Sequence, residues 1–153
     1  MITAWRIVKA RHADSPFDGE GARLTGGRWN SPGLPVVYTA GSSALAALEM
    51  LAHVGTTNLL PAYVLIACMF DKKIALRLDR KRLSKDWRAY PARPELQLVG
   101  DAWLTDGTSA VLEVPSAIIP TESNFLLNPT HADFRSIRVG SPEPFDFDLR
   151  LLR

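Results

Sequence analysis

The stretch Gly26–Leu51, GGRWNSPGLPVVYTAGSSALAALEML, places a loop, a strand and a helix in immediate succession. Its segment LPVVYTA is rich in β-branched and aromatic residues, which predicts a strand. The segment GSSALAALEMLAHVG follows at once, and a cap at Ser42 or Ser43 with Gly55 just past the end predicts a helix. We therefore expect the end of this strand and the helix to lie on adjoining elements, next to the loop.

The rest of the chain is predicted to add strands and helices without a regular βαβ series. The predicted strands are WRIVKA, AYVLIACMF, KKIALRLD, SAVLEVPS, SAIIP and FRSIRVG, and the predicted helices are PELQLVGDAWLTDG and a short one at RLSKDWRAY. We expect AYVLIACMF to be a central strand with KKIALRLD paired beside it. ADSPFDGEGARLTGG is expected to be a long loop, ESNFLLNPTH a turn-rich segment, and SPEPFDFDLRLLR a tail or an edge piece. This order predicts an α+β fold with a mixed sheet, in one domain spanning 1–153.

Charge is nearly balanced along the chain but unevenly spread. The 153 residues carry 18 Lys and Arg against 16 Asp and Glu, a formal net charge of +2. Half of the Lys and Arg lie between Asp71 and Arg93, a segment that we call the basic band. Such a band can hold nucleic acid, can hold an acidic partner protein, or can be a solvated face, and the solvated face is the interpretation that we favour.

The remaining composition excludes several classes of protein. No apolar run is long enough to span a membrane, and the N-terminus lacks the pattern of a signal peptide, so we expect a cytoplasmic protein. Cys68 is the single cysteine and lies in an apolar run, which predicts a buried thiol in a reducing compartment. His12, His53 and His131 are scattered, so we expect no metal held by the protein.

Glu49 is the one formally charged residue between Arg28 and Asp71. It shares an apolar helix face with Leu45 and Ala52, so its carboxylate either reaches solvent at the helix edge or is held in a pocket for a function. Tyr38 precedes the helix and is, taken alone, a core aromatic residue.

Together, however, Arg28, Tyr38 and Glu49 supply a cation, a ring and a carboxylate around one possible cleft. The cation suits a phosphate, the ring suits stacking, and the carboxylate suits a ribose hydroxyl or a developing positive charge. Trp29 is expected to anchor the loop in the core.

At these residues the chain resembles a known family. GGRWNSPGLPVVYTAGSSALAALEML, followed later by ESNFLLNP, resembles the RES domain, the toxin of RES–Xre toxin–antitoxin pairs, and the resemblance runs from WRIV to FRSIRVG. It implies an ADP-ribosyltransferase-like fold of mixed, mainly antiparallel twisted sheets with a few helices. It also implies that Arg28, Tyr38, Glu49 and Ser123 form the catalytic and NAD-binding set, with Asn128 added to the binding residues and Arg6 left open.

The resemblance further implies a toxin that consumes NAD by cleaving the ribose–nicotinamide bond, through hydrolysis or phosphorolysis. NAD is then the substrate, and no prosthetic group is expected. The implied partners are a helix-turn-helix antitoxin of the Xre type and inorganic phosphate, in a complex that could contain a toxin homodimer. A mono-ADP-ribosyltransferase that modifies a protein is the alternative. A more distant alternative is a non-catalytic module that binds nucleic acid through the basic band.

The implied roles follow the charges of NAD. Glu49 stabilises the cationic ribose carbon, Arg28 binds the pyrophosphate or an attacking phosphate, and Tyr38 packs on the nicotinamide or the ribose. Ser123 is expected to hydrogen-bond the substrate. Without the resemblance, Ser123 would be interpreted as a turn residue that bonds its own backbone.

Overall fold

The computed structural model describes residues 1–55 and 61–152. The strands are β1 (Ile2–Lys9), β2 (Val37–Ala40), β3 (Tyr63–Phe70), β4 (Ala75–Arg77), β5 (Val111–Pro115), β6 (Ser123–Leu127), β7 (Arg138–Val139) and β8 (Glu143–Phe145). The helices are α1 (Glu20–Thr25), α2 (Ser43–Val54) and α3 (Pro94–Asp106). Single turns of 3₁₀ helix occur at Ala10–His12, Lys72–Ile74, Arg80–Arg82, Ala132–Ser136 and Leu149–Leu152.

Within the described ranges these strands form one sheet in the order β4-β5-β6-β2-β1-β3-β7, with β8 also paired to β3. Only the pair of β4 with β5 is parallel, and the other pairs are antiparallel. The predicted α+β class with a mixed, mainly antiparallel sheet is therefore confirmed.

Successive side chains of a strand point to opposite faces of the sheet, and in the inner strands most of them are apolar. Both faces of the sheet are therefore buried there. One face carries a core cluster that includes Phe125 and Leu127 of β6, and the other carries a cluster that includes Leu126. Helix α3 covers this second face with Leu96, Gly100, Trp103 and Leu104, which share one stripe of the helix.

Helix α2 forms as predicted and packs against β1 and β2. The Ser42 hydroxyl caps its first turn by accepting from the Leu45 amide at 3.0 Å, and Gly55 follows its last residue. Leu45 and Ala46 are buried against residues of the first three strands, so the helix presents Glu49 at the end of β2. The strand and the helix thus adjoin as the sequence indicated.

Several local predictions are wrong. KKIALRLD does not pair beside AYVLIACMF, because β4 pairs with β5 at the far edge of the sheet. ESNFLLNPTH contains the inner strand β6, whose two neighbours complete its hydrogen bonds, and SAIIP is a compact loop instead of a strand. RLSKDWRAY forms turns and no helix, whereas the expected long loop before Gly26 contains α1. The C-terminal segment, in contrast, contributes β8 at an edge, as one of the two predicted alternatives had it, and its final position, 153, lies outside the described residues.

Arg6 is half-buried and Cys68 fully buried among the strands. The Arg6 guanidinium donates to the carbonyl oxygens of Pro16 at 2.7 Å and Tyr38 at 2.9 Å, which joins β1 to β2 where the two strands separate. Burial lowers the pKa of Arg6 to about 10. Cys68 is a buried free thiol, as predicted, and burial raises its pKa to about 11.

Among the described residues, no helix has the length and apolar character needed to cross a bilayer.

Candidate active site

The loop Gly26–Gly33, here the arginine loop, is fixed by its own buried residues. Trp29 is 3% exposed and belongs to the core cluster beneath α3. Asn30 is fully buried, and its side-chain amide donates to the carbonyl oxygens of Ala22 at 2.9 Å and Leu34 at 3.1 Å. These contacts hold both ends of the loop, so Trp29 and Asn30 anchor it. Arg28, which directly precedes Trp29, remains half-buried.

Tyr38 fixes the same loop from β2. Its hydroxyl donates to the Asn30 side-chain oxygen at 2.6 Å and accepts from the Trp29 amide at 3.0 Å. Burial raises the pKa of Tyr38 above its ordinary value, so the phenol stays protonated at neutral pH. A Cβ at Gly27 would lie 2.6 Å from this hydroxyl, which explains why the loop needs a glycine there. The ring of Tyr38 is therefore a support for the loop that carries Arg28.

Helix α3 holds the loop from the other side. Gln97 donates to the carbonyl oxygens of Gly27 at 3.0 Å and Asn30 at 3.2 Å. Ser31 donates its amide and its hydroxyl to the two carboxylate oxygens of Asp101, at 2.8 and 2.6 Å. Gly100 lets the helix approach the loop, because a Cβ at that position would overlap the Trp29 carbonyl oxygen.

Arg28 is held by carbonyl oxygens from the basic band. Its Nη1 donates to Trp87 O at 3.1 Å and Ala89 O at 3.0 Å. Burial lowers the pKa of Arg28 from its ordinary value, and the nearby negative charge of Glu49 opposes this shift. In the described part of the chain no direct ion pair joins Arg28 to an acid. The Arg28 guanidinium therefore lies near Glu49 without forming an ion pair with it.

The Glu49 carboxylate is held by one of its two oxygens. Oε1 accepts from the Ser116 hydroxyl at 2.8 Å and from the Asn124 side-chain amide at 2.7 Å. No donor contacts Oε2 among residues 1–55 and 61–152. Because both donors are neutral, they orient the carboxylate without cancelling its charge. The arrangement leaves a fixed anion with a free acceptor oxygen.

The segment 116–122, here the serine loop, presents Ser116. The Ser116 hydroxyl accepts from the amides of Ile118 and Ile119, both at 3.1 Å, while it donates to Glu49. The loop closes where the Ser116 amide donates to Glu122 O at 3.0 Å. One hydroxyl thus links the turn of this loop to the carboxylate on α2.

The structure brings Arg28, Tyr38 and Glu49 around one region and does not bring Ser123 or Asn128 there. Ser123 donates to Glu113 Oε1 at 2.7 Å, because consecutive residues of a strand point to opposite faces and its neighbour Asn124 takes the face of Glu49. Ser123 lines a separate depression of ≈ 470 Å³ on its own side.

Asn128 is 1% exposed and forms a turn after β6. Its side-chain oxygen accepts from the amide and the hydroxyl of Thr130, at 3.1 and 2.8 Å. Its side-chain amide points to Leu104 O at 3.4 Å. This asparagine therefore satisfies backbone and side-chain groups inside the protein. The predicted role of Asn128 in substrate binding, like that of Ser123, stays a prediction.

Sequence reasoning missed Ser116, Asn124 and the carbonyl oxygens that hold Arg28. Strand alternation across ESNFLLNP could have separated Ser123 from Asn124, had that segment been recognised as a strand. The serine that follows Pro115 could also have been recognised as a turn-forming residue. Nothing local in the sequence indicates the contacts of Trp87 and Ala89.

Among the described residues, no group of three or more His, Cys, Asp and Glu is placed to hold a metal ion.

Comparisons with known proteins assign the chain to a family. The sequence profile of the RES domain matches residues 3–148. The chain is 37% identical over 150 residues to Toxin Res of Photorhabdus laumondii, with 97% of this chain and 96% of the relative covered. It is 36% identical over 155 residues to the Prs ADP-ribosylating toxin of a Sphingobium species, with 97% and 96% covered.

A solved chain in the MbcT-MbcA toxin-antitoxin complex of M. tuberculosis shares the fold. The two superpose with a TM-score of 0.76 at 24% sequence identity, over 95% of this chain and 84% of that one. The profile match and the relatives together show that this chain belongs to the RES domain family.

Proposed function

We propose that this protein is a toxin that cleaves the ribose–nicotinamide bond of NAD. The observation that carries the proposal is the Glu49 carboxylate, which Ser116 and Asn124 hold by Oε1 alone. A fixed carboxylate beside a guanidinium that it does not contact can serve one ligand that bears both a cationic carbon and an anionic phosphate. NAD is such a ligand, and membership of the RES family supports it as the substrate.

The proposed reaction uses Glu49 as an electrostatic stabiliser. The ribose–nicotinamide bond breaks heterolytically, so nicotinamide leaves as a neutral molecule with the electron pair and the ribose carbon becomes cationic. The carboxylate stabilises this carbon, directly or through the ribose hydroxyls, as carboxylates do in glycoside cleavage. Water then adds to the carbon and releases a proton, or inorganic phosphate adds in its place. The chain needs no prosthetic group for either route.

Arg28 and Ser116 complete the proposed site. Arg28 binds the pyrophosphate, or an attacking phosphate, through the N–H groups that the carbonyl oxygens of Trp87 and Ala89 do not use. Ser116 is the serine that contacts Glu49, whereas Ser123, for which the resemblance implied a hydrogen bond to the substrate, contacts Glu113. Ser116 orients Oε1 through the bond that its hydroxyl donates.

The test is release of nicotinamide from NAD by the purified protein, with and without phosphate. Glu49→Gln keeps an oxygen for Ser116 and Asn124 but removes the charge, so turnover should fall about 100-fold or more while folding is retained. Glu95→Gln is the matched control because Glu95 is exposed on the first turn of α3, and it should leave turnover unchanged. NAD that stays intact in both buffers would contradict the proposal.

A second candidate function is transfer of ADP-ribose to a protein. The Sphingobium relative is named as a toxin that ADP-ribosylates Prs, which favours this alternative specifically. The same cleavage would supply it, with a protein side chain replacing water as the acceptor. NAD labelled in its adenosine moiety distinguishes the two, because mass spectrometry would find the label on a protein. Label confined to small molecules would reject transfer.

We also propose that a cognate antitoxin binds this toxin. The solved relative is part of a toxin-antitoxin complex, which supports a cognate antitoxin for this chain, and we take a helix-turn-helix protein of the Xre type as that partner. Both would act in the cytoplasm, where NAD is available, and a toxin dimer could form within the complex. Co-expression with a helix-turn-helix protein from the neighbouring gene should restore growth and yield a complex, whose stoichiometry light scattering measures. Continued NAD loss in such cells would contradict this partner.

A further inference from the structure

The tripeptide Trp87–Ala89, here the bridging tripeptide, contacts both sides of the candidate site. The carbonyl oxygens of Trp87 and Ala89 accept from Arg28 Nη1 at 3.1 and 3.0 Å. Between them, Arg88 extends its side chain the other way, and its Nε donates to Ala117 O at 2.8 Å. Three consecutive residues of the basic band therefore connect Arg28 with the serine loop, so the band is more than the solvated face that its charge suggested.

The contact of Arg88 falls next to the residue that holds Glu49. Ala117 directly follows Ser116, whose hydroxyl donates to the carboxylate at 2.8 Å. Arg80, from the same band, donates to Pro120 O at 2.6 Å and so holds the other half of the serine loop. The internal bonds of the loop set its shape, while these two arginines set where it sits.

We propose that Arg88 is a positioning residue that fixes the Ser116–Glu49 pair relative to Arg28. The catalytic part of this inference rests on the proposed function, whereas the mechanical part does not. Loss of the guanidinium frees the Ala117 carbonyl, so the serine loop relaxes and the direction of Glu49 Oε2 is no longer fixed. Arg28 keeps its two acceptors, because they are backbone atoms that the substitution leaves in place.

The expected kinetic result is a loss of turnover with little change in substrate affinity. Misplacement of a catalytic group by a fraction of an ångström is costly, so Arg88→Ala should lower kcat for nicotinamide release about 10-fold. KM for NAD should change less than about twofold, since Arg28 remains anchored. Arg88→Lys retains a cationic donor that can reach Ala117 O, and it should recover a large part of kcat.

Hydrogen exchange tests the mechanical part without any substrate. The amides of Ile118 and Ile119 donate to the Ser116 hydroxyl, so mass spectrometry of peptides covering 116–122 reports whether the loop has loosened. Arg88→Ala should speed exchange there and leave peptides from β3 unchanged. Arg82→Ala is the matched control, because Arg82 is an exposed arginine of the same band with no side-chain hydrogen bond to the described residues.

The exchange and kinetic measurements on Arg88→Ala together accept or reject the positioning role of Arg88. Wild-type exchange and wild-type kcat in Arg88→Ala would overturn it, as would faster exchange throughout the protein, which would mark a general loss of stability. An equal fall in kcat for Arg82→Ala would assign the effect to the charge of the band instead of the contact. If the wild-type protein releases no nicotinamide, the proposed function fails, while the exchange measurement still accepts or rejects the role of Arg88 in placing the loop.

Discussion

The arginine loop and the serine loop form two sides of the candidate site, and they are held in different ways. The arginine loop is fastened from within, by a tryptophan that is 3% exposed and by the fully buried Asn30. The serine loop is fastened from outside, where the exposed side chains of Arg80 and Arg88 reach its carbonyl oxygens. One side is thus part of the hydrophobic core, whereas the other joins a buried Ser116 and an Ile119 that packs on a core cluster to two contacts from exposed arginines.

This difference shows which side of the site can adjust. Interior packing is close and tolerates little change in volume, so the position of Arg28 depends on the stability of the whole fold. Surface hydrogen bonds contribute less to stability, and the serine loop can loosen without unfolding the protein. Substitutions on the first side should therefore mainly reduce stability, whereas those on the second should mainly reduce activity, with a smaller loss of stability.

The largest expected effect tests the buried side. Gly100→Ala places a methyl group against the Trp29 carbonyl oxygen, so α3 and the arginine loop must move apart. Overpacking of this kind should lower the free energy of unfolding by about 3 kcal/mol, measured by denaturant titration. Gly21→Ala is the control within a helix, because nothing lies within 4 Å of the added atom, and it should leave stability equal or slightly higher. Equal losses of stability in Gly100→Ala and Gly21→Ala would show that the contact of α3 with the arginine loop is not tightly packed.

The next effect tests the side that surface contacts hold. Ser116→Ala removes the hydroxyl that orients Glu49 and that accepts from the amides of Ile118 and Ile119, so nicotinamide release should fall about 30-fold with a loss of stability of about 2 kcal/mol. Ser123→Ala provides the matched control on the opposite face of β6, where the hydroxyl binds Glu113 instead. Its turnover should stay within about twofold of wild type. A larger loss in Ser123→Ala than in Ser116→Ala would return the catalytic role to the residue that the resemblance indicated.

A smaller effect is expected from pH, through the Tyr38 phenol that supports the arginine loop. The pKa of Tyr38 is raised in the folded state by burial, so the folded protein binds this proton more tightly than the unfolded chain. Its contribution to stability is complete below the ordinary pKa of 10.0 and is lost as the pH rises above it. Between pH 9 and 11 the wild type should lose about 1 kcal/mol more than Tyr38→Phe in denaturant unfolding. Parallel pH profiles for the two proteins would show that the phenol is not buried as described.

Much of the fold could be predicted because the informative residues act locally. The apolar run of β3 and the caps of α2 at Ser42 and Gly55 depend on neighbours in the sequence, and these elements are confirmed. Trp29 was also correctly expected to anchor the loop. The position of β4 was not predictable, because its three residues pair with β5, which lies beyond α3 in the sequence, and no local pattern specifies that pairing.

The site was predictable on its buried side and not on its surface side. Arg28 and Glu49 stand out in a stretch that is otherwise free of charge, so sequence alone could select them. Ser116 does not stand out in this way, because SAIIP has the β-branched character of a strand and only the serine after Pro115 indicates a turn. Its loop shape arises from the serine bonding its own backbone and from arginines that lie far away in the sequence.

The way Arg28 is anchored has a consequence for how a ligand arrives. Its two partners are peptide carbonyls, which are neutral dipoles and leave the positive charge without an ion-pair partner, while the nearby Glu49 offsets part of its field. A guanidinium pinned by a carboxylate would instead be screened at short range. Attraction of an anion can therefore begin several ångströms before contact, and the rate of capture should decline as added salt shortens the Debye length. Neutral anchoring thus leaves the Arg28 guanidinium without a carboxylate partner, and the proposed anionic ligand would meet that charge.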